Sequence, residues 1–222
     1  MNINYLHLTN KTLCVGKFDL PSLYCSVAEY PDYIALYSQP CEYHKTEHTA
    51  VSFYDYDIRF NGRNGLYAAI YYDDKKLLNQ FKLRFKGVRY FISPDFSMIG
   101  DGQLYHNVCN YGMSREVALW LLLELNAIVI PNIPCSSEDD LDFITDGIEN
   151  VDIVAFSTKG RTDNPVDLNL IRMSLDAVLK NIPNLKAILV YDTSINNKLV
   201  DDLFKPAKDL GVTVIVPGNS LK

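Results

Sequence analysis

The chain contains no stretch approaching the ~18 consecutive apolar residues that a membrane-spanning helix requires, and its opening residues, MNINYLHLTNKTLCVGKF, lack an apolar segment behind basic ones. Neither insertion in a membrane nor secretion is expected. Its five cysteines (Cys14, Cys25, Cys41, Cys109 and Cys135) form no CxxC pair and are odd in number, which reads as reduced thiols in a cytoplasmic protein, not as a disulfide framework. A surplus of positive charge is also missing. With 21 Lys and Arg against 27 Asp and Glu the net charge is −6, which disfavours nonspecific nucleic-acid binding. No G-x-G-x-x-G opens a helix, the turns NGRNG (61–65) and GDG (100–102) are not followed by the Lys-Ser/Thr of a phosphate loop, and no G-x-S-x-G occurs. The usual nucleotide and serine-hydrolase fingerprints are therefore absent.

What is present is a pattern. A chain of 222 residues can bury a substantial core without staples. Residues 1–48 show no sustained period and read as an N-terminal extension on an α/β domain spanning 49–222. Twelve of the fifteen tyrosines precede residue 91, which suits strands or an interaction face. From residue 50 apolar runs alternate with helix-period segments: AVSFY, VRYFIS, AIVIP, DIVAFS, KAILVY and VTVIV are the expected strands. Their near-continuous apolarity indicates a mostly parallel sheet covered on both faces. The expected fold is α/β with about six mostly parallel strands, as an incomplete (βα) barrel or, alternatively, a doubly wound sheet.

The intervening helices carry end signals. Asn164 caps a helix opened by Pro165, and Ser114 is expected to cap the apolar helix REVALWLLLEL. A third helix is expected to start after Ser194, to kink at Pro206 and to stop at Gly211. A weaker, basic helix is expected in DDKKLLNQFKLRF, and an acidic turn or two in SSEDDLDFI. Two charge blocks stand out, one basic from Lys75 to Arg89 without an acid and one acidic from Ser136 to Asp152 without a base. They read as solvated surfaces with mutual attraction, or as a phosphate-binding strip at the basic block.

Every expected strand empties into polar residues: Asp55 and Asp57, then Pro94 and Asp95, Asn132, Thr158 and Lys159, Asp192 and Thr193, and Asn219. Ligands bind at the carboxyl edge of parallel strands, where loops converge and helix N-termini point. Pro94 cannot donate to a ladder, so pairing ends there and Asp95 is released to the rim. Asn132, Thr193 and Asn219 suit turn caps as well as a site. Three carboxylates at one edge, Asp55, Asp57 and Asp95, would repel unless protonated, paired with Lys159 or Arg59, or bridged by a cation such as Mg²⁺ or Mn²⁺.

Cys41, His44 and His48 stand at C-x2-H-x3-H spacing, but no second cysteine pair completes a structural zinc site, and an exposed polar loop is the simpler reading. His106 and Cys109 lie close in sequence, which alone does not make a nucleophile pair.

The segments VSFYDYDIRF, SPDFSM, NYGMSREVALWLLLELNAIVIPNI and TDGIENVDIVAFSTKG resemble the bacterial and phage domain-of-unknown-function family 4417 over roughly residues 50–191. Asp55, Asp57, Arg59, Phe60, Pro94, Asp95, Phe96, Ser97, Asn110, Arg115, Pro131, Asn132, Gly147 and Gly160 fall at matching places. Ser93 stands where the pattern has Thr, and Cys135 where it has a Trp soon after the Pro-Asn strand. The resemblance implies a phage or mobile-element setting and no particular activity.

The leading expectation is a metal-dependent hydrolase of a phosphate ester or nucleotide. Asp55, Asp57 and Asp95 would hold the cation, Asp95 and Lys159 would join them in catalysis, and Arg59, Arg115, Asn132 and Asp192 would hold the substrate. The alternatives are a non-enzymatic interaction protein whose acidic, tyrosine-rich surface binds a host protein, and a small-molecule binding protein using the same edge.

Overall fold

The computed structural model describes residues 6–194 and 197–221. In chain order it opens with helix α1 (Leu6–Thr9), the antiparallel hairpin β1 (Cys14–Val15) and β2 (Leu20–Pro21), and strands β3 (Tyr33–Leu36) and β4 (Thr49–Ser52). Helices α2 (Ile58–Asn61), α3 (Leu66–Tyr71) and α4 (Lys75–Arg84) lead to β5 (Tyr90–Ile92), and α5 (Leu104–Leu125) leads to β6 (Ile128–Ile130). After a 3₁₀ turn at Glu138–Asp142 come β7 (Ile153–Ser157), α6 (Pro165–Asn181) and β8 (Ala187–Tyr191). The chain then runs through α7 (Asn197–Leu203), α8 (Lys205–Asp209), β9 (Thr213–Ile215) and β10 (Gly218–Asn219).

Two parallel sheets result, one of five strands in the order β10-β3-β4-β5-β6 and one of three in the order β7-β8-β9. They meet at one bridge between Asn132 and Ala155, where the Ile133 amide donates to the Ala155 carbonyl at 2.9 Å and the Ala155 amide to the Pro131 carbonyl at 2.8 Å. At the other end a single run of chain supplies β9 to one sheet and β10 to the other, with Pro217 between them. Proline withholds a ladder donor, so the sheets wrap part of the way round one core and form no closed barrel. The sequence pattern thus locates six of the strands. It does not find β3 within the segment taken as an extension, although β3 pairs with β4 over four residues.

The central strands are covered on both faces: β4, β5 and β8 bury every residue. Aromatic rings fill the space around the first sheet, with Tyr37 stacked on Phe53 at 5.1 Å and Phe60 edge-on to Phe96 at 5.1 Å. Asn164 does cap α6, its side chain accepting from the Val166 amide, and Asp74 caps α4 by accepting from Lys76 and Leu77. Phe204 separates α7 from α8 just before Pro206, so the expected kink is a break. The expected start of this helix after Ser194 lies outside the described residues.

Two expectations need correction. Ser114 is no cap: α5 begins ten residues earlier, and the Ser114 hydroxyl donates to the Pro94 carbonyl at 2.6 Å. Nor do the two charge blocks form an ion pair with each other among the described residues. Among the described residues, Lys75, Lys82 and Arg89 pair with Asp73, Glu124 and Glu29, while Arg84 lies 4.2 Å over the Tyr37 ring. In the acidic block Asp140 is buried and accepts from Ser136, Ser137 and Asn107.

Candidate active site

The loop after β5 is held in place by one stripe of α5. Asn107, Asn110 and Ser114 stand at i, i+3 and i+7 and share a helix face. Asn107 accepts from the Ile99 amide at 2.9 Å and donates to its carbonyl, Asn110 donates to the Ser97 carbonyl at 2.6 Å, and Ser114 fixes Pro94. Three polar side chains therefore do for the loop backbone what a neighbouring strand would otherwise do. Ser93 supplies the last anchor, its hydroxyl accepting from the Asn132 amide at 2.8 Å. A hydroxyl is what this contact needs, and Ser provides it as Thr would.

So fixed, Asp95 projects into a hollow of about 420 Å³ whose walls include Ser97, Asp101, Cys135, Arg161 and Asp167. Its carboxyl accepts from Asn132 Nδ2 at 2.8 Å, and Asn132 Oδ1 accepts from the Tyr54 hydroxyl at 2.8 Å. The Tyr54 ring is stacked on Tyr191 at 5.0 Å, across the interior between the two sheets. Burial pushes the Asp95 carboxyl up to about 6 despite the Asn132 hydrogen bond and the charges of Arg161 and Lys159, which favour ionisation; the neighbouring Asp57 adds to the rise. Burial likewise holds the Tyr54 hydroxyl well above its ordinary value, so it remains a donor.

The cationic side of the hollow comes from the loop after β7. Gly160 takes φ of 72°, a left-handed conformation that lets the chain turn between Lys159 and Arg161. Arg161 donates to the Cys135 carbonyl at 2.8 Å, and Lys159 reaches the Tyr54 carbonyl at 2.8 Å. Cys135 is buried, and burial pushes its thiol up to about 12, so it is a wall and not a nucleophile. A thiol here leaves room that an indole would fill.

The residues expected at the site separate into two groups. Asp95, Asn132, Lys159 and Asp57 come together. Asp57 accepts from the amide and the hydroxyl of Ser97 at 3.0 and 3.1 Å. Asp55 turns elsewhere, accepting from the Ser38 amide at 3.0 Å and pairing with Arg59 at 3.2 Å. Asp192 is wholly enclosed and accepts from Thr158 Oγ1 at 2.6 Å and from the Ser194 amide and hydroxyl at 3.1 and 3.0 Å, so it braces the loop after β8. Arg115 is also buried, donating to the Tyr111 hydroxyl at 2.7 Å and to the Asp146 carbonyl at 3.0 Å. It clamps the acidic segment to α5 and is not on the wall of the hollow. Gly147 closes the same segment with φ of 75°, and a Cβ there would meet Ser22 Cα at 3.0 Å.

Among the described residues no three His, Cys, Asp or Glu gather in a way that could hold a metal ion. Cys41 is exposed, and His48 Nδ1 lies 3.8 Å from Glu29. Arg161, Tyr54 and Asn110 are the site residues that the strand-end pattern missed. The basic pair flanking a glycine in Lys159-Gly160-Arg161 was the available signal for the first of them. Among the described residues no helix is long and apolar enough to cross a membrane, and all five cysteines are free.

Residues 13–205 match the family model described as Domain of unknown function (DUF4417), a span that takes in every residue of the hollow. No curated protein matches the chain.

Proposed function

The chain belongs to the DUF4417 family, a domain of unknown function, and from the site within it we propose an enzyme that binds a phosphate-bearing small molecule or nucleotide and hydrolyses it, with Asp95 transferring the proton. One observation carries the reading: a carboxyl raised to about 6 by burial, oriented by the Tyr54–Asn132 pair, shares a hollow with an arginine. Such a group is half ionised near pH 6, so both forms are within reach close to neutrality, and it can accept a proton from an attacking water or return one to a leaving group. Arg161 supplies the planar donor set that phosphate oxygens fit, and Lys159 adds charge at the rim. Aspartate pairs at such edges also bind Mg²⁺ or Mn²⁺; Asp57 and Asp95 would be the ligands, with Ser97 giving up its hold on Asp57. Proton transfer draws on the carboxylates as they stand, because Asp55 is already committed to Arg59.

A second reading rests on a different feature. Tyr56 and Ile58, on either side of Asp57 where α2 begins, are 79% and 77% exposed, and Tyr105 is 69% exposed at the start of α5. Exposed large apolar side chains suit a partner surface, as a phage or mobile-element protein binding a host protein would need.

Melting temperature measured with inorganic phosphate, nucleotides, Mg²⁺ and Mn²⁺ separates these readings. Phosphate-bearing ligands are expected to raise it in proportion to the logarithm of their concentration, and Arg161→Gln is expected to abolish the rise. Hydrolysis, where found, is expected to show an ionisation near pH 6 that Asp95→Asn removes. If neither phosphate nor nucleotide changes the melting temperature, the enzyme reading falls and the partner surface takes its place.

A further inference from the structure

On the outer side of the molecule the β1–β2 hairpin, α3 and α5 enclose a second hollow of about 460 Å³. Its walls are mainly apolar, with Phe18, Leu20, Tyr67, Val108 and Met113 among them, and among the described residues they include no lysine, arginine or histidine. Glu116 of α5 stands within this wall. Its carboxyl is hydrogen-bonded by Tyr67, and its second oxygen, Oε2, is buried without a hydrogen-bond partner among the described residues. An orphaned carboxylate oxygen in an apolar setting is costly unless something meets it. Burial correspondingly raises the Glu116 carboxyl to about 7, against the Tyr67 hydrogen bond, which favours ionisation.

We propose that this hollow binds a hydrophobic amine, a compound with an aromatic or aliphatic body and a protonated amino group, with Glu116 as its counter-ion. The apolar walls would take the body, the Glu116 carboxyl would pair with the ammonium, and the Tyr67 face offers a further contact for a cation. Charge decides the class. The acids in the lining, Glu116 and Asp19, are opposed by no base there, so an anionic ligand would meet only repulsion. The other titratable groups of the lining are Tyr67 and Tyr71 on α3, Cys14 on β1 and Cys109 on α5. Gly112, also in the lining, leaves open space: a Cβ there would meet nothing within 4 Å.

Calorimetric titration of the full chain with phenethylamine, against 2-phenylethanol as the uncharged match, tests the assignment. The amine is expected to bind at least tenfold more tightly than the alcohol, and its affinity to rise about tenfold from pH 6 to pH 8 as Glu116 ionises, while the alcohol shows no such rise. Glu116→Gln is expected to remove both differences. Gly112→Leu, which fills the open space with a better helix former, is expected to abolish binding of either compound without loss of fold. Equal affinity for amine and alcohol, undiminished amine binding by Glu116→Gln, or no binding of either compound would overturn the proposal. So would self-association that Gly112→Leu eliminates, since it would assign the hollow to a second copy of the chain.

Discussion

Strands β5 and β8 each deliver an aspartate to the same end of the molecule, and the two carboxyls have opposite situations. Asp192 is 0% exposed and accepts from Thr158 and twice from Ser194, while its carbonyl accepts from Asn219 at 3.0 Å. Among the described residues Asp95 has one side-chain donor, Asn132, and it opens on a hollow. Both lie one to three residues beyond an apolar strand, so strand position does not separate them. The number of donors does: hydrogen bonds to the ionised form stabilise it, and burial without enough of them holds a proton. A well-supplied carboxylate is structural, and an under-supplied one can exchange protons.

The largest expected effect tests the structural member. Asp192→Ala should destabilise the protein by about 3 kcal/mol in urea denaturation, because Thr158 and Ser194 lose a buried acceptor together. A loss below about 1 kcal/mol would remove the contrast between the two aspartates.

Asp95→Asn should act in the other direction. The folded-state carboxyl sits near 6 and the unfolded one near its ordinary value of 3.8, so the folded state holds the proton more firmly. Its contribution therefore turns unfavourable as pH rises through this window and stays so above about 6. Asparagine keeps an oxygen for Asn132 and carries no charge, so the variant should gain about 1 kcal/mol at pH 8, after allowance for the access that the hollow gives to water, and nothing at pH 4. Stability curves at the two pH values check this. A residue that costs stability where it stands is a stronger candidate for function than one that adds to it.

Smaller effects sharpen the mechanism. Asn132→Ala removes the one side-chain donor and should move the Asp95 titration upward from about 6, as followed by the carboxyl carbon resonance against pH. Arg161→Gln should move it in the same direction by less, since that contribution acts through space and is partly screened. No movement in either variant would mean that Asp95 does not sense the hollow.

The strands of the α/β fold were legible because apolar runs such as KAILVY and DIVAFS are too short and too uniformly apolar for anything but covered strands. β3 was not, since its four residues YIAL stand among prolines and tyrosines with no period, and only pairing with β4 makes them a strand. The front half of α5 was hidden for a related reason. Asn107, Asn110 and Ser114 look like loop chemistry in sequence, and they are helical because the loop from Pro94 to Ile99 uses them as donors and acceptors. At the site, Asp95 and Asn132 could be read from the strand ends, whereas Tyr54 and Arg161 act across the sheets from positions that the strand-end pattern does not mark.

The sequence by itself determined the alternation of covered parallel strands with helices and the crowding of polar groups at the strand ends, because both follow from local apolar period and turn chemistry. Only the tertiary structure decided which of those groups share a hollow and which are locked away. The ionisation of a carboxyl depends on the donors that distant segments bring to it and on the water they exclude, and neither is encoded in its neighbours along the chain.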